Sequence, residues 1–203
     1  MYNKNDILDL KIEDIGSGGE GIAKIAGYVF FVKDTVVGDE IKAKVMKAGK
    51  NFGYAKLLEI VKPSKDRVEP NCPVANKCGG CQLLNMSYEA QLKFKEDKVK
   101  NNLERIGKVS DFVMRPIVGM SGETGICRYR NKTQFPVGQN KDGKIVTGFF
   151  ASHTHSIIEI EDCIASPEVN AYILEAVREY MTEENVAPYD EKAHKGLDRK
   201  SVV

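Results

Sequence analysis

The sequence predicts an α+β chain: a small N-terminal β-barrel of five short strands, then a mixed central region around a cysteine-rich loop. Three observations carry this. Residues 6 to about 61 alternate apolar and polar side chains in short runs broken by glycine. Cys72, Cys78 and Cys81 follow with C-x5-C-x2-C spacing. Strand-like alternation then returns over residues 113–160, with a helical pattern on either side.

The barrel strands are expected at 7–12, 22–25, 28–32, 41–45 and 54–60. The glycine-rich stretch 16–21 lacks the G-K-[ST] ending of a phosphate loop and no helical pattern follows it, so it reads as a hairpin connection. Lys42, Lys44, Lys47, Lys50 and Lys56 are candidate phosphate contacts, and Phe30, Phe31, Phe52 or Tyr54 could stack on bases. The competing reading is a solvated lysine face over core aromatics. A proline-bracketed connector, 63–70, leads to the cysteines. Ser87 is the expected N-cap of a helix running to about 106–107, with Leu92, Val99, Leu103 and Ile106 on its apolar face. Further strands are expected at 115–119, 128–137, 144–150 and 157–160. Ser166 and Pro167 should open a last helix, to about Met181.

Thiolates this crowded repel one another unless a cation neutralises them, so the cysteine loop points to a metal centre. Gly79 and Gly80 let the backbone wrap closely and aim amides at sulfur. Cys163 is the best candidate for a fourth ligand, and Cys127 is left over as a half-buried thiol. Four cysteines fit an iron–sulfur cluster or a structural zinc; the paired spacing of a zinc ribbon is absent, and the uneven spacing favours iron–sulfur. A strand through Arg128, Arg130, Lys132 and Gln134 would set all four on one face, solvated or against an anion, which favours phosphate or base contact. His153 and His155 read as surface residues.

Thirty basic residues nearly balance 29 acidic ones, so net charge alone does not announce nucleic acid. The N-terminus has no apolar signal region and no stretch is suited to span a bilayer, which predicts a cytoplasmic chain without membrane contact. Five cysteines then suit a reducing compartment.

Residues 16–23, Phe30-Phe31-Val32 and Gly38-Asp39-Glu40 resemble a TRAM domain, an OB-like RNA-binding module. With Cys-x5-Cys-Gly-Gly-Cys-Gln and the Tyr129-Arg-Asn-Lys-x-Gln-Phe-Pro-Val137 stretch ahead of Cys163, the chain resembles the N-terminal part of RumA/RlmD-type RNA (uracil-5-)-methyltransferases. The resemblance implies that Cys72, Cys78, Cys81 and Cys163 bind a [4Fe–4S] cluster of structural role, and that Arg128, Arg130, Lys132, Gln134, Phe30, Lys42 and Lys44 contact RNA. It implies S-adenosylmethionine as methyl donor in the full-length protein, 23S ribosomal RNA as substrate and a monomer. In that family a cysteine adds to uracil C6, C5 takes the methyl group, and a carboxylate removes the C5 proton. These groups belong to a C-terminal Rossmann-like domain, which the sequence reading expects to be absent, leaving no catalytic residue and an inactive chain. The expected domains are 1–62 (RNA-binding barrel), 63–182 (central domain with the cysteine motif) and 183–203 (truncated start of the methyltransferase domain). The last six residues, 198–203, depart from the family pattern and match the translation of a sequencing adapter, so they are expected to be artefactual. The alternatives are a stand-alone iron–sulfur RNA-binding module without activity, and a zinc-bound scaffold.

Overall fold

The computed structural model describes residues 2–121, 125–152, 154–197 and 200–202, the last three as backbone only. Two compact units emerge, 1–71 with 82–119 and 72–81 with 120–203. They cut across the expected boundaries: the cysteine loop belongs with the C-terminal half of the chain, and the helix after it with the barrel.

In the first unit six strands form one sheet, ordered β1 (Ile7–Lys11), β5 (Glu40–Ala48), β6 (Phe52–Lys62), β4 (Tyr28–Val32), β3 (Gly21–Ile25) and β2 (Asp14–Ile15). β1 also lies against β3, which curls the sheet towards closure. Most neighbours are antiparallel, but β4 and β6 run parallel, Phe31 opposite Tyr54. Period-two alternation buries Leu10, Ala23, Phe30, Val32, Ile41, Ala43 and Val45 inside. The turn before β3 is the expected hairpin, closed by Gly16 N–H donating to the Glu20 carbonyl at 2.7 Å.

Asp39, fully buried, joins the loop before β5 to the segment after β6. Its carboxylate accepts from Val36 N–H (2.7 Å), Ser64 N–H (2.8 Å) and the Arg67 guanidinium (2.7 Å). Burial alone would raise its pKa, but the Arg67 fork and these amides outweigh that and hold it below the ordinary carboxylate value.

Helix α1 (Tyr88–Asn101) is capped as expected, the Ser87 hydroxyl accepting from Ala90 N–H at 3.3 Å. It continues as a π-helical turn, Asn102–Ile106. The expected apolar face is not buried: Val99 is 53% and Ile106 78% exposed.

The second unit holds a four-stranded sheet ordered β10 (Lys200–Val202), β7 (Gln134–Gln139), β8 (Ile145–Phe150) and β9 (Ile157–Glu159), backed by α2 (Val169–Glu183). Phe135, Ile160 and Leu174 form one core cluster, and Val137, Ile145 and Met181 another. The strand expected at 115–119 does not form. Pro116 offers no N–H to a ladder, and Val113 and Val118 are almost fully exposed. Helix α2 starts at Val169, two residues after the expected Pro167, with Glu168 at its N-cap. The Ser166 hydroxyl donates to the Cys163 carbonyl at 3.1 Å.

Candidate metal centre and nucleic-acid interface

The cysteine loop folds as consecutive tight turns. Ala75 N–H reaches the Cys72 carbonyl (3.2 Å), and the N–H groups of Lys77 and Cys78 reach the Val74 carbonyl (3.0 and 2.8 Å). Its far end docks on the second sheet, Gly79 N–H donating to the Phe150 carbonyl at 3.0 Å and Cys78 pairing with Ala151. A Cβ on Gly79 would stand 2.9 Å from that same carbonyl oxygen, so docking requires glycine there. Gly80 N–H points at Cys78 Sγ, 3.3 Å away, so one amide of the loop is aimed at sulfur.

Cys163 reaches this loop from the other side of the chain. It packs against Phe135, Ile160 and Leu174 beside Val74. Burial pushes the Cys78 thiol up, with Cys72 and Cys163 adding to the rise; burial likewise raises Cys81, with Cys163, Cys78 and Cys72 adding to it. Cys78 and Cys81 thus each lie within electrostatic reach of Cys72 and Cys163, while Cys127, half-buried, does not act on either. None of the five is in a disulfide.

Among the described residues no three His, Cys, Asp or Glu side chains converge as one metal ion would need. A tetrahedral zinc would draw sulfurs to about 3.8 Å of one another, given its bond length. The convergence expected of a metal centre is thus not shown among the described residues.

Arg128 was expected on an RNA-facing strand, and the structure corrects this. Residue 128 takes a left-handed backbone, φ +56°, so no strand runs from 128 to 133 and the four-residue row is broken. The N–H groups of Arg128 and Arg130 donate to the Ile164 and Ala165 carbonyls, both at 2.8 Å. The Arg128 side chain grips the Cys163 segment: a two-pronged contact with Asp162 (2.8 and 2.7 Å) and single bonds to the Cys163 and Ser166 carbonyls (3.0 Å each). The anion it meets is Asp162, whose carboxyl Arg128 holds below its ordinary range. Arg130, Lys132 and Gln134 stay exposed, and Arg130 lies close enough to Cys81 to lower its thiol pKa against the larger effect of burial.

Phe30 is also corrected: it is fully buried among Tyr2 and Tyr28, with ring centroids 5.0 and 4.9 Å away, and cannot stack on RNA. Lys42 pairs with Asp9 at 2.8 Å, whereas Lys44 is half-exposed. In the barrel the exposed rings are Phe52 and Tyr54, with Phe31 half-buried beside them. His155 lies at the surface, as expected, but does have a carboxylate partner, Glu191, at 2.7 Å; His153 lies outside the described residues. The sequence pattern held no sign of Glu191, which lies 36 residues away. No helix among the described residues is long and apolar enough to cross a membrane.

Residues 3–58 match the TRAM domain family. The chain is 42% identical, over 201 residues, to a Halalkalibacterium halodurans protein named "Uncharacterized RNA methyltransferase", covering 99% of this chain and 43% of that protein. A Clostridium tetani protein of the same name is 42% identical over 200 residues, covering 98% of this chain and 42% of the relative. The chain thus spans less than half the length of these relatives. Its fold resembles the crystal structure of Pyrococcus abyssi tRNA (uracil-54, C5)-methyltransferase in complex with S-adenosyl-L-homocysteine, with a TM-score of 0.61 at 23% identity, over 96% of this chain and 42% of that one. These matches correct the expectation of a fold class defined by a missing Rossmann-like domain, and of an inactive chain. Relatives named as methyltransferases align with 99% of the chain, and a methyltransferase fold matches 96% of it.

Proposed function

We propose that the chain is part of an S-adenosylmethionine-dependent RNA (uracil-C5)-methyltransferase acting on 23S ribosomal RNA. In this reading Cys72, Cys78, Cys81 and Cys163 hold a [4Fe–4S] cluster, the barrel of residues 1–62 binds RNA, and residues 183–203 lead into the methyltransferase domain. The observation that carries it is that Cys163 and the 72–81 loop fall in one unit, in a chain whose residues 3–58 match the TRAM domain. When bound, the cluster supplies positive charge that relieves thiolate repulsion and ties together segments some 80 residues apart. The chain's own residues do the positioning. Gly79 docks the loop on β8, Gly80 directs an amide at Cys78, and Arg128 with Ser166 holds the Cys163 carbonyl. Exposed Arg130, which acts on Cys81, and exposed Lys132 are the cations available to phosphate. Ribosomal substrate follows from the joint presence of barrel and cysteine motif, in the pattern of the family the sequence resembles.

Iron, zinc and acid-labile sulfide on protein purified without oxygen test the centre. About four irons and four sulfides per chain are expected; one zinc without sulfide overturns the cluster. Labelled methyl transfer from S-adenosylmethionine by the whole protein, to 23S rRNA against tRNA, tests the reaction. Label at uridine C5 of 23S rRNA is expected, and label confined to tRNA overturns the ribosomal assignment.

A further inference from the structure

The outer face of β4 and β6 carries a feature the core does not need. Phe31 and Tyr54 stand opposite each other on the parallel pair, ring centroids 5.7 Å apart and planes 32° from parallel. Phe52 meets both edge-on, at 5.9 and 5.8 Å. Phe52 and Tyr54 are each 47% exposed, so the barrel leaves open apolar area that burial would have turned into stability.

Lysines flank the rings on both sides. Lys24 on β3 is opposite Val29; on β5, Lys47 is opposite Tyr54 and Lys44 opposite Lys56. Among the described residues none of Lys24, Lys44, Lys47 and Lys56 is in an ion pair. Of the nearby carboxylates, Asp9 pairs with Lys42 and Glu20 folds over its own Gly16–Gly18 turn. Aromatic faces bordered by uncompensated cations suit a polyanion with exposed π-faces, and a single strand of nucleic acid supplies both.

We infer that Phe31, Phe52 and Tyr54 form a base-stacking platform for single-stranded RNA, with Lys24 and Lys47 taking phosphates on either side. The inference rests on the RNA-binding reading above and specifies which face of the barrel does the work. Duplex RNA, its base faces already stacked, is a poor ligand for such a surface.

The test is the affinity of the full chain, purified without oxygen, for a fluorescein-labelled single-stranded oligouridylate of about ten nucleotides, a length within the usual site sizes. Phe52→Ala and Tyr54→Ala are each expected to weaken binding about tenfold, the scale of one lost stacking contact. Tyr54→Phe, which keeps the ring, should stay within about twofold. Lys47→Gln should lower the slope of log affinity against log salt by about 0.7, one phosphate contact on a single strand. Unchanged thermal midpoints establish that the surface variants fold. Wild-type binding that survives both alanine substitutions overturns the platform and leaves the RNA reading standing. Equal affinity for a duplex also overturns it. A wild-type chain that binds no RNA overturns both.

Discussion

Arg128 shows how one residue can change meaning between sequence and structure. In an ideal strand it would have faced outward with Arg130 and Lys132. A left-handed backbone turns it inward, and its guanidinium meets Asp162 and two carbonyls. Arg128→Ala is expected to lower stability by about 1–2 kcal/mol, discounted for the partial exposure of Asp162, and to speed iron loss to a chelator. Urea unfolding and the decay of visible absorbance read the two effects; an unaltered rate of iron loss would remove Arg128 from the centre. Asp39 makes the second residue-scale prediction. Its carboxyl is depressed in the fold, so its stabilisation is complete above the unfolded carboxylate value of about 3.9 and is lost as pH falls from there through the folded value. Asp39→Asn should cost about 3 kcal/mol at neutral pH, because Arg67 stays behind without its counter-charge. Urea midpoints between neutral and acid pH should fall more steeply for the wild type than for the variant.

At the scale of elements, local signals were legible where local chemistry decides. Ser87 sits at the N-cap of α1 because its hydroxyl serves an amide three residues on, an arrangement any isolated helix start would favour. The 16–20 turn and the barrel alternation are of the same kind. Ser166 had an equally good cap signature, yet α2 begins at Val169 with Glu168 at its N-cap, and the Ser166 hydroxyl donates to the Cys163 carbonyl. Gly79 belongs at this scale too, because its missing side chain lets a loop and a strand meet. Gly79→Ala should lift the cysteine loop off β8. Protein purified without oxygen should then carry less iron, with helix content by circular dichroism nearly unchanged. Full iron loading would show that the docking is dispensable.

For the whole molecule, the division into two units sets what each cysteine can do. The 72–81 loop is claimed by the unit that contains Cys163, while the helix that follows it in sequence belongs to the barrel's unit. Cys163→Ala should therefore abolish iron retention and lower amide-exchange protection in β7 and β8, while β4, β5 and β6 keep theirs. Equal loss of protection in the barrel strands would contradict that division. By itself the sequence determined what depends on spacing along the chain. Period-two alternation produced the barrel strands, and the crowded thiols beside paired glycines raised the expectation of a metal centre. Only the tertiary structure decided which aromatic faces out and which arginine is already engaged. Phe30 and Phe31 are adjacent in sequence and identical in chemistry; period two sets them on opposite faces of β4, and the curl of the sheet decides that the face of Phe30 is the inner one. Arg128 and Asp162 are 34 residues apart, and their contact exists because a left-handed backbone at one and a tight turn after the other bring them together.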